Sequence, residues 1–136
     1  MNYRVILFHK QATSARTRFL RFAHGSVLAF EPVPQLAQLC EPGSNPALHP
    51  AAAIRNVEEK MGLPEGCLEA EAEFQHFVEV PGENIAIILA GITTMDPPFE
   101  VAERHDATFI DLTQARDLPQ VELELLRSAY ELLLGG

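Results

Sequence analysis

The residues best suited to chemistry stand at the end of a predicted helix, within residues 55–63. Side chains three and four residues apart share one face of a helix, and carboxylates in that arrangement can hold a hard divalent cation beside a diphosphate. In residues 55–63, one such helix face carries Asn56, Glu59 and Lys60. Its formal charge cancels, because the amide is neutral and Lys60 offsets Glu59. This face therefore carries only one of the several carboxylates that a divalent-metal site uses.

The element that must position this face is a helix predicted over residues 50–61. Pro50 suits the first turn, where its missing N–H is not needed, and the three alanines that follow are strong helix formers. Gly62 can adopt the left-handed conformation that ends a helix. Glu58 is rotated about 100° from its neighbours on the helix. We therefore expect it to be solvated rather than to supply a further metal ligand on the face of Asn56, Glu59 and Lys60.

Residues 41–63 resemble the signature of the Nudix hydrolases. That signature is a glycine, five residues, a glutamate, seven residues, then an arginine, a glutamate, an aliphatic residue, any residue, two glutamates, any residue, a glycine and an aliphatic residue. Aligned from its C-terminal end, five positions agree: Arg55, Val57, Glu59, Gly62 and Leu63. The resemblance extends to most of the chain, but only residues 55–63 carry motif-level specificity.

The departures from the signature all fall on its working positions. Lys60 stands where the second glutamate of the closing pair belongs, and Asn56 stands where the glutamate after the arginine belongs. Ala47 replaces the upstream glutamate and Glu41 replaces the glycine. An ammonium group in place of a carboxylate repels a metal ion, so the signature is degenerate.

The resemblance implies an α/β fold, a Nudix-like α/β/α sandwich with a mixed sheet flanked by helices, in one domain over residues 1–136. It also implies Mg²⁺ or Mn²⁺ as the cofactor if the protein is active, with Glu59 as metal ligand and catalytic residue and Arg55 bracing it. We expect Glu83, Glu100, Glu103 and Asp106 to lie in loops. Glu103 is the one taken as a catalytic candidate that could restore metal binding, and the alternative for every loop acid is a solvated carboxylate. Glu59 could equally be a surface carboxylate paired with Arg55.

Three hypotheses of function follow. The favoured one is a Nudix-fold protein that binds a nucleotide or another small diphosphate ligand, with metal-dependent hydrolysis lost or much reduced. The alternative is an active, atypical Nudix hydrolase that cleaves a nucleoside diphosphate linked to another moiety. The third is that the signature match is accidental and the chain is another small α/β binding domain. Similar proteins are often homodimers, so a homodimer is expected as well.

The composition of the chain limits the classes of partner that we expect it to bind. The chain has 136 residues and a formal net charge of −9, which argues against nucleic acid as a partner, because such surfaces need clustered basic residues. Cys40 and Cys67 have neither the number nor the spacing of a disulfide framework or a zinc site. No targeting leader or membrane span is recognisable. We therefore predict a cytoplasmic protein with no membrane partner.

The remaining elements follow from hydrophobic patterning. Residues 3–9 read as a strand buried on both faces, and residues 19–22 and 26–30 as a further strand or a hairpin around His24 and Gly25. Residues 31–50 are rich in proline and read as a loop. Residues 68–80 and 85–93 read as a strand pair joined by a turn at residues 81–84, and residues 119–134 as an amphipathic helix capped by Asp117. A short segment carries four basic residues, Lys10, Arg16, Arg18 and Arg21. They could contact the phosphates of a ligand, or they could form a solvated edge around buried phenylalanines.

Overall fold

The computed structural model describes residues 3–34, 36–40 and 50–135. Its strands are β1 (Tyr3–Lys10), β2 (Thr17–Arg21), β3 (Leu28–Ala29), β4 (Gln38–Leu39), β5 (Leu68–Ala70), β6 (His76–Val80), β7 (Glu83–Ile92) and β8 (Thr108–Ile110). Its α-helices are α1 (Ala51–Met61), α2 (Phe99–Arg104) and α3 (Gln120–Gly135), with a 3-10 turn at Leu112–Gln114. All eight strands belong to one sheet, in the order β4-β6-β7-β1-β2-β8, with β3 beside β1 and β5 beside β7.

Strand β1 lies at the centre of the sheet. It pairs in parallel with β7 and antiparallel with β2 and β3. Val5 and Leu7 face one core, and Ile6 and Phe8 face the other. The prediction of a central strand buried on both faces is confirmed, and the parallel pair makes the sheet mixed.

Helices cover both faces of the sheet. Helix α3 buries Leu125 and Leu126 in the core on one face. Helix α1 buries Ile54, Val57 and Met61 in the core on the other face. The predicted α/β/α sandwich is therefore confirmed, and the predicted helices over residues 50–61 and 119–134 correspond closely to α1 and α3.

Strands β2 and β3 are two segments of one line along β1. Phe19 pairs with Phe8, and after a turn at residues 22–26 Leu28 pairs with Ile6. The turn is closed by the Phe22 N–H, which donates to the Ser26 carbonyl at 2.9 Å. The hairpin alternative is wrong, because both segments run antiparallel to the same edge of β1 rather than to each other.

Residues 68–80 are likewise two strands rather than one. Strand β5 pairs with the end of β7 and β6 with its beginning, so that Leu68 lies opposite Ile92 and His76 opposite Ile87. The turn between β6 and β7 is shorter than predicted, since β7 already begins at Glu83. Gly82 makes that turn possible with a φ of +89°, a conformation that glycine adopts at little cost.

Two predicted loops contain regular structure. Within residues 31–50, β4 adds a short edge strand that pairs Leu39 with Val78, while residues 41–49 lie outside the described part of the chain. The predicted acidic loop is also wrong in part. Glu100 and Glu103 lie on α2 and Glu83 is the first residue of β7, which leaves Asp106 alone in a loop.

Long-range ion pairs join the β2 edge to the segment before α3. Arg16 donates to both carboxylate oxygens of Asp111, at 3.1 and 2.9 Å. Arg21 does the same with Asp117, at 3.0 and 2.7 Å. The carboxylate predicted to cap α3 is therefore engaged by a guanidinium. No helix in the described part of the chain is both long and apolar enough to cross a membrane.

Candidate functional site

Helix α1 brings its signature positions to the N-terminal end of β1. The helix follows Pro50 and ends at Gly62, whose φ of +73° is left-handed and whose N–H is directed at the last carbonyls of the helix. Asn56 and Lys60 are four residues apart and therefore share a face. Together with Tyr3, Arg4, Phe30 and Glu31 they line a cavity of about 230 Å³, which we call the α1 cleft.

Asn56 is held in place by the first strand. Its side-chain amide donates to the Tyr3 hydroxyl at 3.1 Å. The tyrosine hydroxyl is a donor as well as an acceptor, so it keeps its O–H donor for another partner. The position where the signature has a glutamate thus presents a neutral, hydrogen-bonded amide.

Lys60 extends from the same face across the ring of Phe30. Its ammonium nitrogen lies 5.1 Å from the ring centroid, within the range of a cation–π contact. Among the described residues no carboxylate lies within ion-pair distance of this nitrogen. The charge of such an ammonium group attracts anions electrostatically.

Arg4 forms the floor of the cleft and was missed by the sequence analysis. Its guanidinium donates to the carbonyls of Glu31 at 2.8 Å and Tyr3 at 3.0 Å and forms an ion pair of 3.8 Å with the Glu31 carboxylate. Its side chain is only 10% exposed. The sequence held a signal for it, since Arg4 is a charged residue inside an otherwise apolar strand.

The balance of charge in the α1 cleft is positive. Among the described residues that line the cleft, the cations of Arg4 and Lys60 are accompanied by a single carboxylate, that of Glu31, whose side chain is 80% exposed. The protein as a whole carries a formal net charge of −9. The cleft is therefore a basic site, rich in hydrogen-bond donors, on an acidic protein, and such a site favours phosphate oxygens.

A larger cavity of about 600 Å³ lies at the other end of β1 and has the opposite character. Its polar lining includes Glu69, Glu71 and Glu73 against Lys10, whose ammonium donates to the Leu133 carbonyl at 3.0 Å. None of the signature residues lines it. Three carboxylates repel a phosphate, so size alone does not make this cavity the candidate site.

Glu58 is the clearest correction to the sequence analysis. It was expected to be solvated, but it is 4% exposed, and its carboxylate accepts the Leu68 N–H at 3.0 Å. Burial raises the pKa of the Cys67 thiol, and the nearby Glu58 carboxylate raises it further. Glu58 therefore joins α1 to the beginning of β5 and is turned away from the α1 cleft.

None of the three predicted catalytic residues lines the α1 cleft. Arg55 forms an exposed ion pair of 3.1 Å with Glu65, rather than bracing Glu59. Glu59 is exposed and does not line the α1 cleft. Glu103 is an exposed residue of α2 and does not line the cleft either. The signature positions Glu41 and Ala47 lie outside the described residues.

The donor set does not fit Mg²⁺ or Mn²⁺. These cations prefer several charged oxygens, whereas α1 directs an amide and an ammonium group into the cleft. Within residues 3–34, 36–40 and 50–135, no three carboxylate, histidine or cysteine side chains lie close enough together to hold a metal ion. The carboxylate in the described lining of the cleft, that of Glu31, lies 3.8 Å from the Arg4 guanidinium.

The basic residues near β2 do not serve the cleft. Arg16 and Arg21 are engaged by the two aspartates described above, and Arg18 donates to the Gln11 side chain at 3.0 Å. Phe19 is fully buried and Phe22 is 7% exposed. These contacts favour the structural interpretation, an edge built around buried phenylalanines.

Comparison with solved structures finds a similar chain in the crystal structure of an Ap4A hydrolase from C. elegans. The two share 18% sequence identity with a TM-score of 0.56, over 95% of this chain and 94% of that chain. The fold is that of a Nudix hydrolase. No protein-family model and no curated protein matches the sequence.

The Nudix-like fold gives residues 55–63 a structural context. In this chain α1 packs on the sheet opposite α3, and Asn56 and Lys60 of α1 line a cleft beside the first strand. At this level of identity the likeness concerns the fold. What the site does must be argued from its own residues.

Proposed function

We propose that the chain binds a nucleotide or another ligand containing a diphosphate in the α1 cleft, with metal-dependent hydrolysis lost or much reduced. The observation that carries this proposal is the Lys60 ammonium group, which lines the cleft from a helix position where the Nudix signature has a glutamate. A phosphate oxygen is the natural partner of an ammonium without a carboxylate neighbour.

The donors around Lys60 support a phosphate as the ligand group. Tyr3 and Asn56, which are joined by a hydrogen bond, line the same small cavity and carry hydroxyl and amide donors, and the guanidinium of Arg4 adds positive charge. Phosphate oxygens accept hydrogen bonds from all of these groups. Phe30 offers an apolar wall on which a ring or sugar can pack.

The proposed loss of hydrolysis is based on where the carboxylates of α1 lie. Attack of water on a phosphorus atom needs metal ions or equivalent groups to neutralise charge and to position the nucleophile. On α1 the Glu58 carboxylate is used by the Leu68 N–H, and Glu59 is exposed outside the cleft. These two residues therefore offer little to a metal-activated water.

The second candidate is an active, atypical hydrolase of a nucleoside diphosphate linked to another group. It is favoured by the likeness to the C. elegans Ap4A hydrolase over 95% of this chain. In that case Glu59 would hold the metal with a second acid such as Glu103. These two residues lie on different helices, α1 and α2, whose C-terminal ends are in contact through His105 Nε2, 3.0 Å from the Met61 carbonyl.

Binding is tested by isothermal titration of the purified protein with ADP. Lys60→Gln removes the charge in the cleft, and Arg127→Gln is the matched control, because Arg127 is exposed on α3 across the sheet. We expect Lys60→Gln to weaken binding by about tenfold or more, and Arg127→Gln to leave it unchanged. Equal affinities in all three proteins would refute the assignment of the cleft.

Hydrolysis is tested with a panel of nucleoside diphosphate compounds in the presence of Mg²⁺ or Mn²⁺. The proposal expects no metal-dependent release of a monophosphate above the rate without protein. Release that disappears in Glu59→Gln would establish the second candidate instead. Retained release in Glu59→Gln would point to a contaminating enzyme and would leave the binding proposal standing.

A further inference from the structure

We infer that Lys60 takes the place of the divalent cation, so that the α1 cleft holds a diphosphate without Mg²⁺ or Mn²⁺. This inference rests on the proposed function and adds to it the mode of binding. A metal-bridged site uses carboxylates to hold a cation, and the cation to hold the phosphate. Here the protein supplies the cation itself.

The position of Lys60 carries the first step. It lies four residues after Asn56, so both side chains leave α1 on the same face, and both line the cleft. The helix ends at Gly62 just beyond Lys60, with Met61 buried in the core. The base of the lysine side chain is therefore fixed beside a well-anchored residue.

The surroundings of the ammonium group carry the second step. Its described contact is the face of Phe30, with 5.1 Å between the nitrogen and the ring centroid. A cation–π contact holds the ammonium in place but leaves its charge uncancelled. Its three N–H donors can then meet the oxygens of a phosphate group.

A competing divalent cation would meet repulsion in the same place. It would face both Lys60 and Arg4, with the Glu31 carboxylate already paired to Arg4 at 3.8 Å. The carboxylates of α1 give no compensation, because Glu58 is turned toward Leu68 and Glu59 stands outside the cleft. The described part of the site therefore selects the free anion over its metal complex.

The test is titration of the full chain with inorganic diphosphate, once with EDTA and once with excess Mg²⁺. Because Mg²⁺ binds diphosphate in solution and lowers its charge, we expect the dissociation constant to be lowest in EDTA and to rise several-fold with Mg²⁺. Lys60→Gln should weaken binding in EDTA by about tenfold or more, and Lys60→Glu should abolish it. Arg127→Gln should bind like the unmodified protein.

The outcomes separate the two proposals. Binding only in the presence of Mg²⁺ overturns the inference and leaves the proposed function intact, whereas unchanged binding by Lys60→Gln overturns both the inference and the assignment of the α1 cleft. Absence of binding to diphosphate and to ADP in both buffers overturns the proposed function as well. Circular dichroism of each variant establishes that it is folded.

A second measurement needs no variant. The sequence contains two lysines, Lys10 and Lys60, at opposite ends of β1, so acetylation with an amine-reactive reagent followed by mass spectrometry reports on each. Diphosphate in EDTA should slow acetylation of Lys60 several-fold and leave Lys10 unchanged. Equal rates with and without diphosphate at Lys60 would overturn the inference.

Discussion

The carboxylate of Glu58 accepts a hydrogen bond from the backbone N–H of Leu68 at 3.0 Å, and this contact joins the signature helix to strand β5. The next residue, Glu59, is exposed and makes no comparable contact with the part of the chain that the structure describes. Two adjacent glutamates of one helix thus have different tasks. Only the first is part of the framework that holds α1 against the sheet.

Glu58→Ala should destabilise the protein, because it leaves the Leu68 N–H buried without an acceptor. We expect a loss of about 1–3 kcal/mol in the free energy of unfolding, measured by urea denaturation. Glu59→Ala is the matched control and should change that free energy by no more than about 0.5 kcal/mol. Equal losses for the two variants would contradict the difference in their environments.

Restoring the signature glutamates should create a metal site. In Asn56→Glu combined with Lys60→Glu, two carboxylates replace an amide and an ammonium group on the face that lines the α1 cleft, and we expect Mn²⁺ affinity to rise by about tenfold or more. Isothermal titration with MnCl₂ measures it. The control, Gln120→Glu with Arg127→Glu, makes the same charge change on α3. If both double variants bind Mn²⁺ equally, the gain is non-specific and our alignment of the signature is wrong.

Arg4→Lys should impair the α1 cleft although it keeps the charge. The guanidinium of Arg4 donates to two carbonyls at 2.8 and 3.0 Å, and an ammonium cannot reproduce this fork. We expect a loss of about 1–3 kcal/mol in the free energy of unfolding together with weaker ADP binding. Arg104→Lys, at an exposed position on α2, should leave both properties unchanged, and an unaffected Arg4→Lys would rule out a positioning role.

Stability should depend on the ionisation of His76. Burial lowers the pKa of His76 below its ordinary value of 6.5, and its Nε2 lies 2.8 Å from the Ser128 hydroxyl. Because the folded state disfavours the protonated ring, the stabilisation is complete above pH 6.5 and is lost as the pH falls through the lower pKa of the folded protein. Urea denaturation between about pH 7.5 and 5.5 measures this dependence. A slope that is unchanged in His76→Gln would assign it to another group.

Local sequence patterns were sufficient to predict the elements that can be recognised without knowing which segments they pack against. Strand β1 is apolar throughout, and α1 and α3 have helical periodicity with clear end signals at Pro50 and Gly62, so each was predicted nearly to the residue. The interrupted strands were not. Residues 22–26 and 71–75 leave the sheet between two strands that pair with the same neighbour, β1 in the first case and β7 in the second. These pairings join segments that are distant in sequence, so a local pattern does not show them.

The same distinction applies to the site. Spacing placed Asn56 and Lys60 on one face of α1, and the structure agrees. The burial of Glu58 could not be read from the helix, because it is created by Leu68, ten residues later, and the role of Arg4 is created by the backbone carbonyls of residues 3, 31 and 32. Contacts with backbone atoms leave little trace in a pattern of side chains.

The parallel pairing of β1 with β7 has a consequence for how the chain reaches its native state. Val5 pairs with Ile88, so the centre of the sheet can form only after synthesis has passed Ile88. Until then the apolar strand β1 has one of its two edges unpaired. Folding should therefore be slow for a domain of this size, and chaperones should engage the nascent chain early.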